Sequence, residues 1–291
     1  MGLKMNASNS ATRSDQLTST DIAQITPLAL RKSIRSGHHT GTTTGYASGY
    51  LQGNLVILPR DYADEFLQFC AKNPKSCPLI GMSEPGSPHI PQLGANLDIR
   101  TDLSGYRIFR GGTDYTSASD VSDVWRDDLV TFVLGCSFSF EAAITRSGVS
   151  LRHIDAKRNV PMYVTNIATS PAGRFHGPLV VSMRSFAPSD AIRAILYSDR
   201  YRLAHGAPVH IGDPAQIGIT DIQKADFGDD PVIKDGDIPV FWACGVTPQM
   251  AIRNALPDFA ITHEPGFMLV TDVLAEAAEF SLQGKPEIYH P

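Results

Sequence analysis

The sequence predicts an α/β fold: a layered α/β main domain with a second, smaller α+β lobe. Three observations lead there. Apolar runs of strand length alternate with stretches of helical periodicity along most of the chain. Three of those runs, at 133–141, 240–249 and 261–266, break into polar, turn-forming tips, the arrangement that sets ligand sites at strand ends in open α/β sheets. The chain has 291 residues, 42% of them hydrophobic and 19% charged, which suits a folded protein with a sizeable core.

Taken in order, residues 1–26 are polar and lack an apolar signal core, so they are expected to be a flexible segment. A short helix is expected from Leu28 to Ser36. The loop Gly37–Gly45 is dense in glycine and hydroxyls, which allows close approach of backbone to a ligand. Leu55–Leu58 reads as a buried strand stopped by Pro59, and Asp61–Lys72 as a helix with Phe66, Leu67 and Phe69 on its apolar side. Between Cys77 and Ser119 Pro and Gly break the pattern into long connections, with a charged, alternating strand at Leu97–Asp102. Leu129–Leu134 is a strand and Phe140–Arg146 its following helix, with Gly148 as a stop. Val160–Thr165 and Pro178–Met183 are strands, and Ser189–Arg202 a helix. Pro239–Ala243 is a strand, after which Thr247-Pro248 opens a helix that Pro257 ends. A strand at Phe267–Thr271 and a helix at Val273–Ser281 close the chain. The main domain is expected over 27–129 and 203–291, the smaller lobe over 130–202. No internal repeat is evident.

The net charge of −5 leaves no basic footprint for nucleic acid. No apolar run reaches the roughly 18 to 20 residues that span a bilayer. The four cysteines, Cys70, Cys77, Cys136 and Cys244, form no CxxC pair, which excludes a zinc knuckle and suits a reducing cytoplasm.

Candidate site residues concentrate at the polar tips. Glu141, in the first turn of its helix, either complements the helix dipole or acts as a general acid or base beside Cys136, Ser137 and Ser139. Free amides at that helix start would add an anion site. No Gly-x-Ser-x-Gly elbow surrounds Ser137, and Cys136 reads better as a buried structural thiol than as a nucleophile. His205, His210 and Asp213 form a second cluster with proton-handling chemistry, although Asp213 before Pro214 could simply cap a turn. The five-residue histidine spacing fits no HExxH pattern, which disfavours a divalent metal; no cofactor is expected. Arg184 follows a buried apolar run and needs a partner, either a substrate carboxylate or an internal aspartate such as Asp98 or Asp102. Arg100 invites the same two readings. Gln52 and Asn54 either bind substrate or satisfy the neighbouring loop. Cys244, Thr247, Gln249 and His263 are expected to wall the site.

Several of these stretches resemble one family. Gly45–Pro59, GCSFSFE at 135–141, GRFHGPLVVSMR at 173–184, HGAPVHIGDP at 205–214, FWACGVTPQ at 241–249 and ITHEPG at 261–266 are similar to the D-glutamate cyclase family of hydro-lyases, from about Leu28 to Asp272. The resemblance implies a two-part α/β protein and a lyase that eliminates water, as in closure of D-glutamate to 5-oxo-D-proline. From residue chemistry, Glu141 or His210 would move protons, groups around Ser137 and Ser139 would hold the oxyanion, and Arg184 or Arg100 would clamp a carboxylate. The chain departs from the family pattern at Ala168-Thr169, where relatives often have a cysteine, at Ser185 in place of proline, and at Glu264 in place of alanine. The expected partner is a small carboxylate in a protein that forms a homodimer. Two rival expectations are a lactam hydrolase and a non-catalytic carboxylate binder.

Overall fold

The run Leu55-Val56-Ile57-Leu58 is buried on both sides, and its alternation divides the molecule. Leu55 and Ile57 enter one core with Leu93, Leu97, Tyr106 and Leu269. Val56 and Leu58 enter another with Phe66, Phe69, Phe132 and Phe175. Successive side chains of a strand point to opposite faces, so a continuous apolar run is what a central, doubly covered strand requires.

The computed structural model describes residues 19–282. In chain order the elements are α1 (Ser19–Gln24), α2 (Pro27–Arg35), β1 (Tyr50–Pro59), α3 (Arg60–Lys72), β2 (Leu79–Met82), β3 (Tyr106–Phe109), β4 (Tyr115–Ala118), β5 (Leu129–Gly135), α4 (Phe138–Arg146) and α5 (Arg152–Asp155). They continue with β6 (Met162–Ala168), β7 (Pro178–Phe186), α6 (Pro188–Ser198), β8 (His210–Ile211), β9 (Ile238–Ala243), α7 (Thr247–Ala255), β10 (Ala260–His263), β11 (Leu269–Leu274) and α8 (Ala275–Leu282).

The fold is α/β with layered helices and sheets, and every strand pairing in it is antiparallel. The first sheet runs β2-β5-β1-β10-β3-β4, with β11 also on β1; the second runs β6-β7-β9-β8. Trp242, Phe186 and Val240 of the second sheet pack on Phe140 and Ile144 of α4. Where the sheets meet, Cys136, Phe138, Val160, Met162, Val180, Cys244 and Met268 form one cluster.

The structure revises three expectations and assigns strands to sheets. Strand β5, within the expected smaller lobe, belongs to the first sheet through seven register pairs with β1, and β8 and β9, within the expected main domain, belong to the second. Pairing partners, which local pattern does not reveal, decide that division. Leu97–Asp102 is a series of turns rather than a strand, held by Tyr106, whose hydroxyl donates to Ile99 O and accepts the Leu103 N–H. A hairpin, β3–β4, occupies part of the expected long connection. Residues 1–18 of the expected flexible segment lie outside the described residues; Ser19–Gln24 form α1, and the Ile22 and Ala23 carbonyls accept the Ala47 and Ser48 N–H groups. Among the described residues no helix is long and apolar enough to cross a membrane.

Candidate active site

Strand β5 is buried throughout and delivers Gly135 into the start of α4. Only glycine fits there, because a Cβ would lie 1.5 Å from the Leu203 carbonyl oxygen. The first turn of α4 therefore sits deep in the protein, and Ser137, Ser139 and Glu141 are buried despite their polarity. Buried polar groups need partners. The partners come from β7 of the other sheet, from helix α5 and from β1.

Arg184, near the end of β7, donates from Nε and Nη2 to Oε1 of Glu141 at 3.0 and 2.5 Å. Its Nη2 also donates to Ser137 Oγ at 3.0 Å and its Nη1 to Ser182 Oγ at 3.2 Å. The guanidinium lies 5.2 Å from the Phe140 ring centre and 5.5 Å from that of Trp242, where ring faces favour a cation. His153 of α5 places Nε2 3.1 Å from the same Glu141 oxygen. Burial alone would raise the Glu141 pKa, but Arg184 and His153 outweigh it and hold the carboxyl at about 2. Its second oxygen, Oε2, is buried without a hydrogen-bond partner. Glu141 also lines a cavity of about 350 Å³ with Tyr46, Ala47, Gln52, Phe138 and Thr145.

Gln52 fixes the cavity wall. Its backbone N–H donates to Ser139 Oγ at 2.9 Å, while its side chain donates to Tyr46 O and accepts from Thr43 Oγ1. The glycine- and hydroxyl-rich loop is thereby tied to the site through Thr43, whose N–H also meets Gly266 O. Ser137 and Ser139 each accept one hydrogen bond here, which leaves each hydroxyl its own hydrogen to donate.

A second polar set borders the first. Asn54 donates to Gly135 O at 2.8 Å, and its amide fills the space a Cβ on Gly245 would need. His263 takes the Leu55 N–H on Nδ1 at 3.1 Å, and Gln249 donates to the His263 carbonyl at 3.2 Å. Burial holds the His263 pKa down at about 4. Thr247 accepts the Val180 N–H at 3.0 Å and so joins α7 to β7. Cys136 and Cys244 are buried between the sheets, and burial pushes their thiols up to about 12 and about 11.

Three expected site residues lie elsewhere. His210 pairs with Phe241, so it shares that residue's face of the second sheet, whereas Arg184 pairs with Val240 on the opposite face. There His210 Nε2 meets Asp213 O at 2.7 Å. Asp213 is exposed and accepts the Ala215 N–H, the turn-capping role. Arg100 pairs with Asp98 on the first sheet's loops, where Nη2 and Oδ2 are 2.8 Å apart. Arg184 does take an internal acid, but that acid is Glu141; Asp102 is engaged by Arg31 and Arg35. His205 is buried in a left-handed conformation (φ +77°) with Nδ1 against Lys75 O, and burial lowers its pKa to about 4. Glu264 is paired with Arg107 at 2.7 Å and with Ser117, so its charge is met outside this cluster.

Sequence reading missed His153 and Ser182. Ser182 could have been found from its period-2 relation to Arg184 along β7. His153 carries no such signal, since only α5 folding back brings it to Glu141, 12 residues earlier. A larger cavity, about 540 Å³, lies between α4, α6 and α8 beside Arg146, Arg200 and Glu276, away from the buried cluster. Among the described residues no three His, Cys, Asp or Glu side chains gather as a metal-binding group.

A family model described as D-glutamate cyclase matches residues 130–272, which include Glu141, His153 and Arg184. A protein of Bradyrhizobium diazoefficiens named "Putative hydro-lyase" is 60% identical over 237 residues, covering 81% of this chain and 88% of the relative. A protein of the same name from Xanthobacter autotrophicus is 53% identical over 266 residues, covering 91% and 96%. One from Bordetella petrii is 55% identical over 244 residues, covering 84% and 92%.

Proposed function

Because the chain belongs to the D-glutamate cyclase family, we propose that it is a lyase that removes water from a small amino or hydroxy acid at the Glu141 cavity, with closure of D-glutamate to 5-oxo-D-proline as its reaction. One observation carries the assignment of the site. Glu141 is an ionised, buried carboxylate that spends one oxygen on Arg184 and His153 and keeps the other without a partner, and the residue lines a cavity of about 350 Å³.

Closure needs the substrate ammonium to lose a proton before nitrogen attacks the side-chain carboxyl carbon. Glu141 Oε2 accepts that proton, the C–N bond forms, and the tetrahedral oxyanion takes hydrogen bonds from the Ser137 and Ser139 hydroxyls. The second nitrogen proton and the one on Glu141 leave with a carboxyl oxygen as water, so atoms and charge balance. Arg184 spends its donors on Glu141, Ser137 and Ser182, which makes it a positioning residue for the acid. Each step falls to this chain's own groups, so the proposal includes neither cofactor nor metal. It also places the protein, with four free cysteines, in the cytoplasm as a homodimer.

The test is incubation with D- and L-glutamate while 5-oxoproline is followed by proton NMR. The expected result is product from the D enantiomer, reduced about 10²- to 10⁴-fold in Glu141→Gln. Binding without turnover would favour a carboxylate-binding protein. Undiminished turnover in a folded Glu141→Gln would remove Glu141 from the mechanism.

A further inference from the structure

The closure reaction leaves one carboxylate of the substrate unreacted, and neither arginine expected to hold it is placed for that. Arg184 spends its donors on Glu141, Ser137 and Ser182, and Arg100 pairs with Asp98. The Glu141 cavity itself is acidic. Glu141 and Asp155 line it with Ser48, Gln52 and Thr145, and among the described residues no lysine, arginine or histidine does. That lining suits an ammonium group and leaves a carboxylate without a cation.

One cation stands at the cavity's edge. A second cavity, of about 360 Å³, adjoins the first, and Ser48 and Ala142 line both. Arg146 lines the second space, as does Ser139, one of the two hydroxyls assigned to the oxyanion. Helix geometry explains the placement. Ala142 and Arg146 are four residues apart, so they share a face of α4 with about 6 Å of axis between them. Side chains on a helix lean toward its N-terminus, which carries Arg146 back toward Ala142. Its Nη1 accordingly lies 3.8 Å from the position a Cβ on Gly49 would take, next to Ser48.

The acid partner of Arg146 is loosely held. Nη2 of Arg146 and Oε2 of Glu276 are 3.8 Å apart, and the two side chains are 58% and 66% exposed. An exposed pair at that separation contributes little, so a ligand carboxylate can displace Glu276 at small cost. A cation in the last turn of a helix is also favourable for the helix itself, but that role does not require the guanidinium to border a cavity.

We propose that Arg146 is the carboxylate-binding residue of this site. It takes the spectator α-carboxylate of an acidic amino acid whose ammonium lies toward Glu141 and whose side-chain carboxyl meets Ser137 and Ser139. Glu276 gives way when the ligand binds. The site then spans both cavities, acidic at the Glu141 end and cationic at the Arg146 end, the charge pattern of an α-amino acid. Arg146 moves no proton and forms no covalent bond; it selects which acids bind.

This inference rests on the reading that the cavity takes a small amino acid, and the experiment separates the two. D-glutamate and its α-amide, D-isoglutamine, are titrated into the whole protein by NMR, which also registers any 5-oxoproline formed. The unmodified protein should prefer the acid about 10- to 100-fold, and Arg146→Gln should shrink that ratio to within about threefold, the loss of a charged hydrogen-bond partner. A merely structural role for Arg146 would weaken both ligands alike and leave the ratio intact. Glu276→Gln keeps Arg146 and removes its competitor, so it should tighten D-glutamate about threefold or more, a readout that holds even where Arg146→Gln fails to fold. An unchanged ratio in folded Arg146→Gln overturns the proposal, as does no tightening in Glu276→Gln, or no binding of D-glutamate at all. If 5-oxoproline forms while the ratio is unchanged, the lyase stands without Arg146; an Arg146-dependent ratio without 5-oxoproline leaves the arginine standing and removes the lyase.

Discussion

Replacing Glu141 by glutamine tests the centre of the site, because it removes one charge and almost no volume. Arg184 is 3% exposed, and among the described residues its anionic partner is Glu141. Breaking a buried ion pair from one side leaves the other charge uncompensated, at a cost of about 3–5 kcal/mol. The depressed carboxyl pKa reflects the same pairing. A pKa of about 2, against an ordinary 4.5, corresponds to about 3 kcal/mol at neutral pH. The folded pKa is the depressed one, so this contribution is present in full above about pH 4.5 and is lost as pH falls toward 2. Urea unfolding followed by circular dichroism at pH 7 should show Glu141→Gln destabilised by several kcal/mol with an unchanged m-value. Arg184→Met alone should cost a similar amount, and the double variant much less than the sum, a coupling of about 2 kcal/mol or more. A loss below about 0.5 kcal/mol in the single variant, or strict additivity in the double, would refute the paired-charge account.

Gly135→Ala should fail to accumulate as folded protein, or lose at least about 3 kcal/mol, because its Cβ would collide with the Leu203 carbonyl 1.5 Å away; near-normal stability would show that the α4 corner is not tight. His205 and His263 are buried neutral, with pKa values of about 4 against an ordinary 6.5, so their stabilisation is present above pH 6.5 and is lost as pH falls to 4. A flat unfolding midpoint across that window would contradict the burial of both rings. His210→Ala and Arg100→Ala should leave turnover within about twofold, since neither side chain joins the Glu141 cluster; a loss like that of Glu141→Gln would mean the site lies elsewhere.

Much of this was legible locally. The buried strand at 55–58 shows in its unbroken apolar run, and the α4 and α7 starts show in their polar tips. Glu141, Ser137, Ser139 and Asn54 stood out because polar residues at the ends of buried strands need partners. Arg184 stood out for the same reason, yet its partner did not: Asp98 and Asp102 carry carboxyl groups as Glu141 does, and only the approach of β7 to α4 selects among them. His205 and His210 looked like one cluster because they are five residues apart, but a left-handed turn at His205 and the pleat of β8 send them to different places.

The sequence by itself determined the layered α/β class, the central strand and the family, because each depends on residue type and short-range periodicity. Tertiary structure alone decided that the strands run antiparallel, that β5 and β9 sit in different sheets, and that His153 closes on Glu141. It also brought Cys136 beside Cys244, 108 positions apart. Those outcomes depend on which backbone edge meets which, and hydrogen-bond pairing between distant strands leaves no mark on the local pattern that forms each strand.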